Sequence, residues 1–302
     1  MKKTFSIVIT TKNRLEELKE TLLKIKKIIE REDVECIICD DGSKDETSKF
    51  IRNYYPEIKL IKNTKSKGLI FSRNRLLNLT KADYAFSLDD DSNIVFYNSL
   101  ELVKTYFENN PYCGVIACRI FWGKKLPKML DDSSKIERVK SFVGCGHVWN
   151  LKAWREIPNY PDWFKFYGEE EFASFQLFKK GWEIHYIPEI LVHHRVDVSS
   201  RKKDKDYSWR LRRSLRSGWY NYFLFYPKKV IPKRFLYTLW MQLKLKVFKG
   251  DLEALIAIVQ AIFDTIINIP RLLINSNRLT KKEFENYAKL PESKIYWFPL
   301  DL

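Results

Sequence analysis

The first 110 residues alternate between two hydrophobic periods, and that alternation limits the fold more than any other feature. Phe5-Ser-Ile-Val-Ile-Thr-Thr11 is a short, β-branched run, and Leu15, Leu18, Leu22, Ile25 and Ile29 follow at helical spacing. The strand pattern returns at Val34–Asp40, Ile58–Ile61 and Tyr84–Leu88, with helices expected at 14–32, 69–79 and about 98–108. Short apolar runs of this kind read as buried strands, and the 3.6-residue period reads as helices. Strand–helix alternation leads to parallel strands joined by right-handed crossovers, with helices on both faces. The expected class is α/β, with a mainly parallel mixed sheet covered by helices on both faces.

The ends of these strands carry acids. Tyr84–Leu88 runs directly into Asp89, Asp90 and Asp91. In open α/β sheets ligands bind at the carboxyl ends of strands. Three adjacent anions repel one another, and Asp-x-Asp at such an edge suits a hard divalent cation, Mn²⁺ or Mg²⁺, shared with phosphate oxygens. A solvated turn that caps the next helix is the plainer alternative. The second strand ends in Asp40 and Asp41. Ser43 with Glu46 is spaced as a capping box, and Asp45 suits a helix first turn. Neither accounts for the Asp40-Asp41 pair, which is placed to accept a hydrogen bond from a base imide. Asn13 with Glu16 marks the expected start of the first helix.

Glu169, Glu170 and Glu171 open another expected helix that stops at Gly181. The helix dipole favours glutamates in a first turn whether or not they do chemistry. Val143-Gly-Cys-Gly-His-Val-Trp149 has glycines that would let a ligand approach closely or simply make a bend. Cys36 and Cys39 have redox-motif spacing, but on a strand they face opposite sides, so both are expected in the core. Five cysteines, with an N-terminal apolar run too short for a signal peptide, suggest a reduced, cytoplasmic protein.

From about residue 196 the chain changes character. Residues 195–302 hold 22 Lys and Arg against 10 Asp and Glu, so +12 of the net +16 lies there. Arg201–Lys205 reads as a charged loop. Arg210, Arg212, Arg213 and Arg216 interleave with Trp209, Trp219, Tyr220, Tyr222, Phe223 and Phe225. The apolar segment 254–269 carries Gln260, Asp264 and Asn268 every fourth residue, a polar stripe on one helical face. It reads as an amphipathic helix, packed on the rest of the chain or lying at an anionic membrane surface. The expected division is a catalytic domain, residues 1–195, and a basic, helical C-terminal extension, residues 196–302.

Five stretches together carry a family resemblance. Ser6–Arg14, Asp40–Thr47, Gly68–Arg75 and Phe86–Asp91 resemble, in order and spacing, the N-terminal motifs of family-2 glycosyltransferases, inverting enzymes of the GT-A fold. Phe166–Phe172, with Gly181–Pro188 and His193-His194, resembles the family's acidic catalytic motif and the elements after it. The likeness spans residues 4–195 and is of the bacterial polysaccharide and rhamnosyltransferase kind. It implies donor binding by Thr10, Asn13, Arg14, Asp40, Asp41, Arg73, Asp89 and Asp90, with Asp41 on the base, Arg73 toward the nucleotide and Asp89 toward the ribose. It implies Asp91 and Asp89 as metal ligands, with His193 or His194 as a further one, and Glu170 as general base. The family commonly has two acids where this chain has three, so Glu169 and Glu171 stay open as the base.

The implied reaction is metal-dependent transfer of a sugar from a UDP- or dTDP-sugar to a glycan or lipid-linked acceptor, at the inner face of the cell membrane. Two other classes compete. The +16 charge and the Arg/aromatic stretch 209–225 would suit a nucleic-acid-binding protein, but no recognised motif supports it, and no nucleic-acid partner is expected. A sugar nucleotidylyltransferase would need a glycine-rich loop after the first strand, where Thr10-Thr-Lys-Asn-Arg14 stands instead.

Overall fold

The computed structural model describes residues 3–196, 206–294 and 296–297; the Arg201–Lys205 run lies outside them. The expected alternation forms as β1 (Phe5–Thr11), α1 (Leu15–Ile29), β2 (Val34–Asp40), α2 (Thr47–Tyr54), β3 (Lys59–Lys62), α3 (Leu69–Leu79) and β4 (Tyr84–Asp89). After these come β5 (Ser92–Ile94), α4 (Ser99–Asn109), β6 (Cys113–Trp122), β7 (Glu137–Arg138), β8 (Gly146–Asn150), α5 (Leu151–Glu156), α6 (Glu169–Lys179) and β9 (Glu183–His194). The nine strands of the described residues form one sheet in the order β3-β2-β1-β4-β8-β6-β9-β5, with β7 on β9. The β3-β2-β1-β4 half is parallel; β8 then runs antiparallel to β4 and β6, and β5 antiparallel to β9.

A parallel strand covered on both faces buries every residue, and β1 does so along its whole length. One core layer packs Leu18, Leu22 and Ile25 of α1 with Leu100 and Val103 of α4. The other packs Ile70 and Leu76 of α3 with Phe172 and Phe175 of α6. Cys36 lies in the first layer and Cys39 in the second, as the period of a strand requires. The cysteines Cys36, Cys39, Cys113, Cys118 and Cys145 are all free and buried.

Two of the expected helix starts are built differently. α2 begins at Thr47, where Asp45 accepts from the Thr47 amide at 3.2 Å and hydroxyl at 2.6 Å, so Ser43 and Glu46 form no capping box. Neither does Asn13 cap α1. Asn13 takes a left-handed φ of 53°, accepts from the Lys44 amide at 2.7 Å and donates its own amide to Ser43 Oγ at 2.9 Å. These two side chains fasten the β1–α1 loop to the β2–α2 loop, a contact between segments thirty residues apart that local spacing does not reveal.

The C-terminal region forms α7 (Tyr207–Phe225), α8 (Ile231–Leu245), α9 (Leu252–Ile274) and α10 (Lys281–Lys289). Tyr220, Leu224 and Phe225 of α7, Leu272 of α9 and Tyr287 of α10 join the buried cluster that contains α6. The polar stripe of α9 faces α7. Asp264 accepts from Arg212 Nε at 2.8 Å and Nη2 at 2.6 Å, and Asn268 donates to the Tyr220 hydroxyl at 3.0 Å.

Candidate active site

Strand register brings the acids together. Thr10 pairs with Asp89 across β1–β4, and Ser92 pairs with His194 across β5–β9. The tight link between β4 and β5 therefore sets Asp90 and Asp91 beside the end of β9. Ser92 Oγ accepts from the Asp89 amide at 2.9 Å and donates to the Cys145 carbonyl at 2.7 Å, tying this turn to the start of β8.

Each aspartate has its own partners. Asp91 Oδ1 lies 3.0 Å from His194 Nε2, and Asp91 Oδ2 accepts from Arg14 Nη2 at 2.7 Å. Burial alone would raise Asp91, but His194 and Arg14 hold it well below the usual carboxylate range. Burial also works against a charge on His194, yet Cys145 and Asp91 raise its pKa to about 10. Of those two, Asp91 is the charged one near neutrality, because burial pushes the Cys145 thiol up. Burial pushes Asp90 up to about 7 against the pull of Arg14; it accepts from Thr11 Oγ1 at 2.8 Å. Asp89 accepts from Arg73 Nη2 at 2.7 Å.

Arg73, one turn into α3 and almost fully buried, links this cluster to the glutamates. Its Nη1 donates to Glu169 at 2.8 Å and to Glu170 at 3.3 Å, and its Nη2 donates to the Gly144 carbonyl at 3.0 Å. Gly144 leaves room for this pair: a Cβ on it would lie 2.0 Å from Glu170 Oε1 and 2.7 Å from Arg73 Nη1, so a side chain there would have to displace them. At this glycine, read as room for a close approach or as a bend, the space is next to the Arg73–Glu170 pair. The lead-in to α6 is backbone-strained, with Lys165, Tyr167 and Gly168 at φ of 69°, 69° and 85°.

The triplet divides three ways. Glu169 is buried on Arg73, and burial and repulsion from Glu170 push it up to about 8. Glu170 keeps 22% of its side chain exposed; burial raises its pKa against Arg73. Glu171 turns away, accepting from Asn221 of α7 at 3.0 Å, and burial pushes it up to about 6. Its orientation separates it from Arg73 and the acid cluster.

A cleft of about 630 Å³ opens over the strand ends, within the usual range for small-ligand sites. Thr10, Arg14, Asp41, Asp89, Asp90, Asp91 and His194 line it; Asp40, Asn13, His193, Arg73 and the three glutamates are not on its wall. Asp40 is buried in its loop, accepting from the Ser43 amide at 2.7 Å and from the Ser48 hydroxyl. His193 points to the other side of β9, its Nε2 on the Gly123 carbonyl at 2.7 Å, because adjacent strand residues face opposite ways. Asp41 accepts from Asn63 at 2.7 Å, Ser66 at 2.6 Å, and the Lys67 and Gly68 amides at 2.8 and 2.9 Å. Burial would raise Asp41, but these donors lower it. Its lone pairs are spent on holding the rim at 66–68. Lys12, Lys67, Lys165, Phe166, Trp209 and Arg213 also line the cleft and were not foreseen. The last two come from α7, over 110 residues beyond β4, so no local motif links them to the acids. A separate hollow of about 820 Å³, between the end of α1 and α2, holds none of this chemistry.

Asp89, Asp91 and His194 present ligand atoms within 4.8 Å of one another. Two carboxylates and an imidazole suit Mn²⁺ or a similar divalent ion. His194 presents Nε2 to Asp91, and the Cys145 thiol neighbours the ring.

A family description, Glycosyl transferase family 2, matches residues 6–164. Among solved structures, the chain resembles a mannosyltransferase from Pyrobaculum calidifontis, PcManGT, in complex with GDP-Man and Mn²⁺. The two are 16% identical, with 95% of this chain and 84% of that chain covered at a TM-score of 0.57. GalNAc-T7 with UDP, GalNAc and Mn²⁺ is 14% identical, covering 89% and 57%, with a TM-score of 0.61. Residues 1–349 of TarS from S. aureus are 15% identical, covering 91% and 90%, with a TM-score of 0.52. No curated protein matches the chain significantly.

Proposed function

The chain belongs to glycosyl transferase family 2, and from that premise we propose that it moves one sugar, with inversion, from a UDP- or dTDP-sugar to a hydroxyl of a glycan or lipid-linked acceptor. The fold is GT-A and the chain is a glycosyltransferase; donor, acceptor, stereochemistry and residue roles are the proposal. The acceptor would be met at the inner face of the cell membrane.

The observation that carries the reading is the buried Arg73, which ties Asp89 at the cleft to Glu169 and Glu170 at the start of α6. One cation thereby fixes the donor end and the base end of the site relative to each other. An acceptor hydroxyl is a poor nucleophile, so a carboxylate takes its proton as its oxygen bonds to the anomeric carbon. Glu170 suits that role best, since it is the exposed member of the pair on Arg73 and its pKa is raised toward neutrality. The bond from the anomeric carbon to the diphosphate breaks in the same step, which inverts the centre.

Asp89, Asp91 and His194 would hold Mn²⁺ or Mg²⁺, which when bound supplies charge stabilisation for the departing diphosphate. The chain's own contribution at that end is cationic: Lys12, Lys67 and Arg213 line the cleft. Asp41 acts through the loop it orders, holding the Lys67 and Gly68 amides at the rim.

The test is turnover of UDP- and dTDP-sugars, with donor binding by calorimetry. Glu170→Gln should lower kcat by roughly two to four orders of magnitude, the usual range for general-base catalysis, with donor affinity nearly unchanged. If Glu169→Gln does the damage and Glu170→Gln does not, the base is misassigned. If no nucleotide sugar binds with either metal, the donor class is wrong.

A further inference from the structure

The basic C-terminal helices leave a second surface unexplained. The buried side of α9 is Ala254, Ala257, Ile258, Ala261, Thr265 and Leu272, mostly small residues, and its Asp264 is held by Arg212 and Arg216 of α7. The opposite side presents Leu252, Ile256, Val259, Phe263, Ile267 and Ile274 at helical spacing, each more than half exposed. A helix on the surface of a soluble domain normally shows water its polar face; here the polar face is spent inward. Contiguous exposed apolar surface of this kind marks a contact with something else.

Charge selects what that contact is. Residues 226–250, which lead into α9, hold seven Lys and Arg and no Asp or Glu. Lys246 and Lys249 flank the exposed Phe248 in the turn between α8 and α9, and Trp240, also exposed, lies 5.9 Å from the Phe248 ring. A second copy of the chain meeting this face would bring two such cationic segments together. An anionic lipid surface would neutralise them, and aromatic side chains favour its interface.

We propose that α9 is a monotopic docking helix that lies flat on an anionic bilayer, its Leu252–Ile274 apolar side in the acyl boundary and the basic 226–250 segment on the headgroups. By length and composition α9 is long and apolar enough to cross a bilayer. Its Asp264 pairs with two arginines and its Asn268 bonds Tyr220, which hold it lengthwise against α7, in the plane of the surface rather than through it. The proposal deepens the membrane-face part of the function above by naming the surface and its mode. Charge alone would give binding that salt removes; an inserted apolar face gives binding that survives salt.

The experiment is flotation of the full chain with phosphatidylcholine vesicles, with and without phosphatidylglycerol, at low and high salt. Wild type should float with the anionic vesicles and keep part of that binding at high salt. Ile256→Gln, Phe263→Gln and Ile267→Gln together, all at sites already in water, should lower high-salt partitioning by at least about a hundredfold, the size expected when three large apolar side chains no longer leave water. Lys228→Glu with Lys233→Glu and Lys249→Glu should abolish the preference for phosphatidylglycerol. The proposal is overturned if wild type does not float with anionic vesicles, if the glutamine variant floats equally well, or if wild type is a dimer that the glutamine variant dissociates. Mn²⁺-dependent nucleotide binding is measured on the same samples and should be unchanged in both variants. A chain that floats but binds no nucleotide would refute the transferase assignment and leave this one standing.

Discussion

Arg73→Met is the substitution on which most of the site's logic rests. The methionine fills the stem of the arginine but leaves four acceptors without their donor: Asp89, Glu169, Glu170 and the Gly144 carbonyl, at 2.7, 2.8, 3.3 and 3.0 Å in the wild type. Glu169 is buried and its Oε2 already lacks a partner among the described residues, so water cannot easily replace the guanidinium. Removing one partner of a buried ion pair costs about 3–5 kcal/mol. Against the roughly 5–15 kcal/mol that holds a typical domain folded, this is a large fraction.

The loss should depend on pH with a definite sign. Glu169 has a folded pKa of about 8, above its ordinary 4.5, with Arg73 as the opposing, lowering influence. Without Arg73 the carboxylates are protonated to still higher pH, and a protonated carboxyl tolerates burial. The Glu169 share of the variant's deficit should therefore open as pH rises through about 8, the wild-type folded value, and widen above it. Urea denaturation of both proteins at several pH values measures it. A deficit under about 1 kcal/mol well above pH 8, the scale of an exposed ion pair, would refute the reasoning. So would a deficit that grows on acidification. Arg73→Lys is the control: one ammonium cannot reproduce the forked geometry, so part of the stability should return while turnover stays low.

The remaining predictions are briefer. Asp91→Asn with Asp89→Asn should abolish the Mn²⁺-dependent thermal stabilisation by nucleoside diphosphate, about 2.7 kcal/mol at a hundredfold excess over Kd, with the apo fold retained. His194→Gln should weaken that Mn²⁺ response and His193→Gln should not, since only His194 stands with the two aspartates; equal effects would remove His194 from the ligand set. Gly144→Ala should displace the Glu170 carboxylate, cost about 1–3 kcal/mol of packing strain and lower kcat more than it changes donor Kd. Turnover should rise with pH through a limb above the ordinary carboxylate range, because burial raises Glu170 and only its ionised form accepts the proton; a limb at the unperturbed value would exclude Glu170 as the base.

Much of this site is legible in the sequence because strand ends are local. Asp89 to Asp91 follow an apolar run, and a parallel sheet puts the ends of β1, β2 and β4 on one edge, so Thr10, Asp41 and Asp89 could be placed together before any coordinates. Where the structure separates residues that the motifs group together, the cause is a common one. Asp40 and Asn13 look like donor ligands from their positions in motifs, but each finds hydrogen-bond partners inside the loop layer. His193 and His194 cannot be told apart by composition; the register of β5 against β9 separates them. Glu171 is distinguished from its neighbours only by Asn221, fifty residues further on. Gly144 could be room for a ligand or a bend; the Arg73–Glu170 pair lies against it. In each case what decides is a partner distant in sequence, and spacing along the chain carries no information about it.

The same limit acts most strongly on α9. Periodicity correctly identifies a helix with Gln260, Asp264 and Asn268 on one side, but an amphipathic pattern has no sign: it says that two faces differ, not which one meets water. The default assignment, polar face outward, holds when the neighbouring surface is apolar. Here α7 offers Arg212, Arg216 and Tyr220 to α9, and an aspartate that can pair with two arginines there is better placed inward than in solvent. The orientation of α9 is thus set by the arginines of another helix, and turning its apolar side outward is the cost of satisfying them. A lone helix with that pattern would give no reason for an exposed Ile256, Phe263 and Ile267; the ion pairs do, and they leave the chain with a surface that water alone does not cover well.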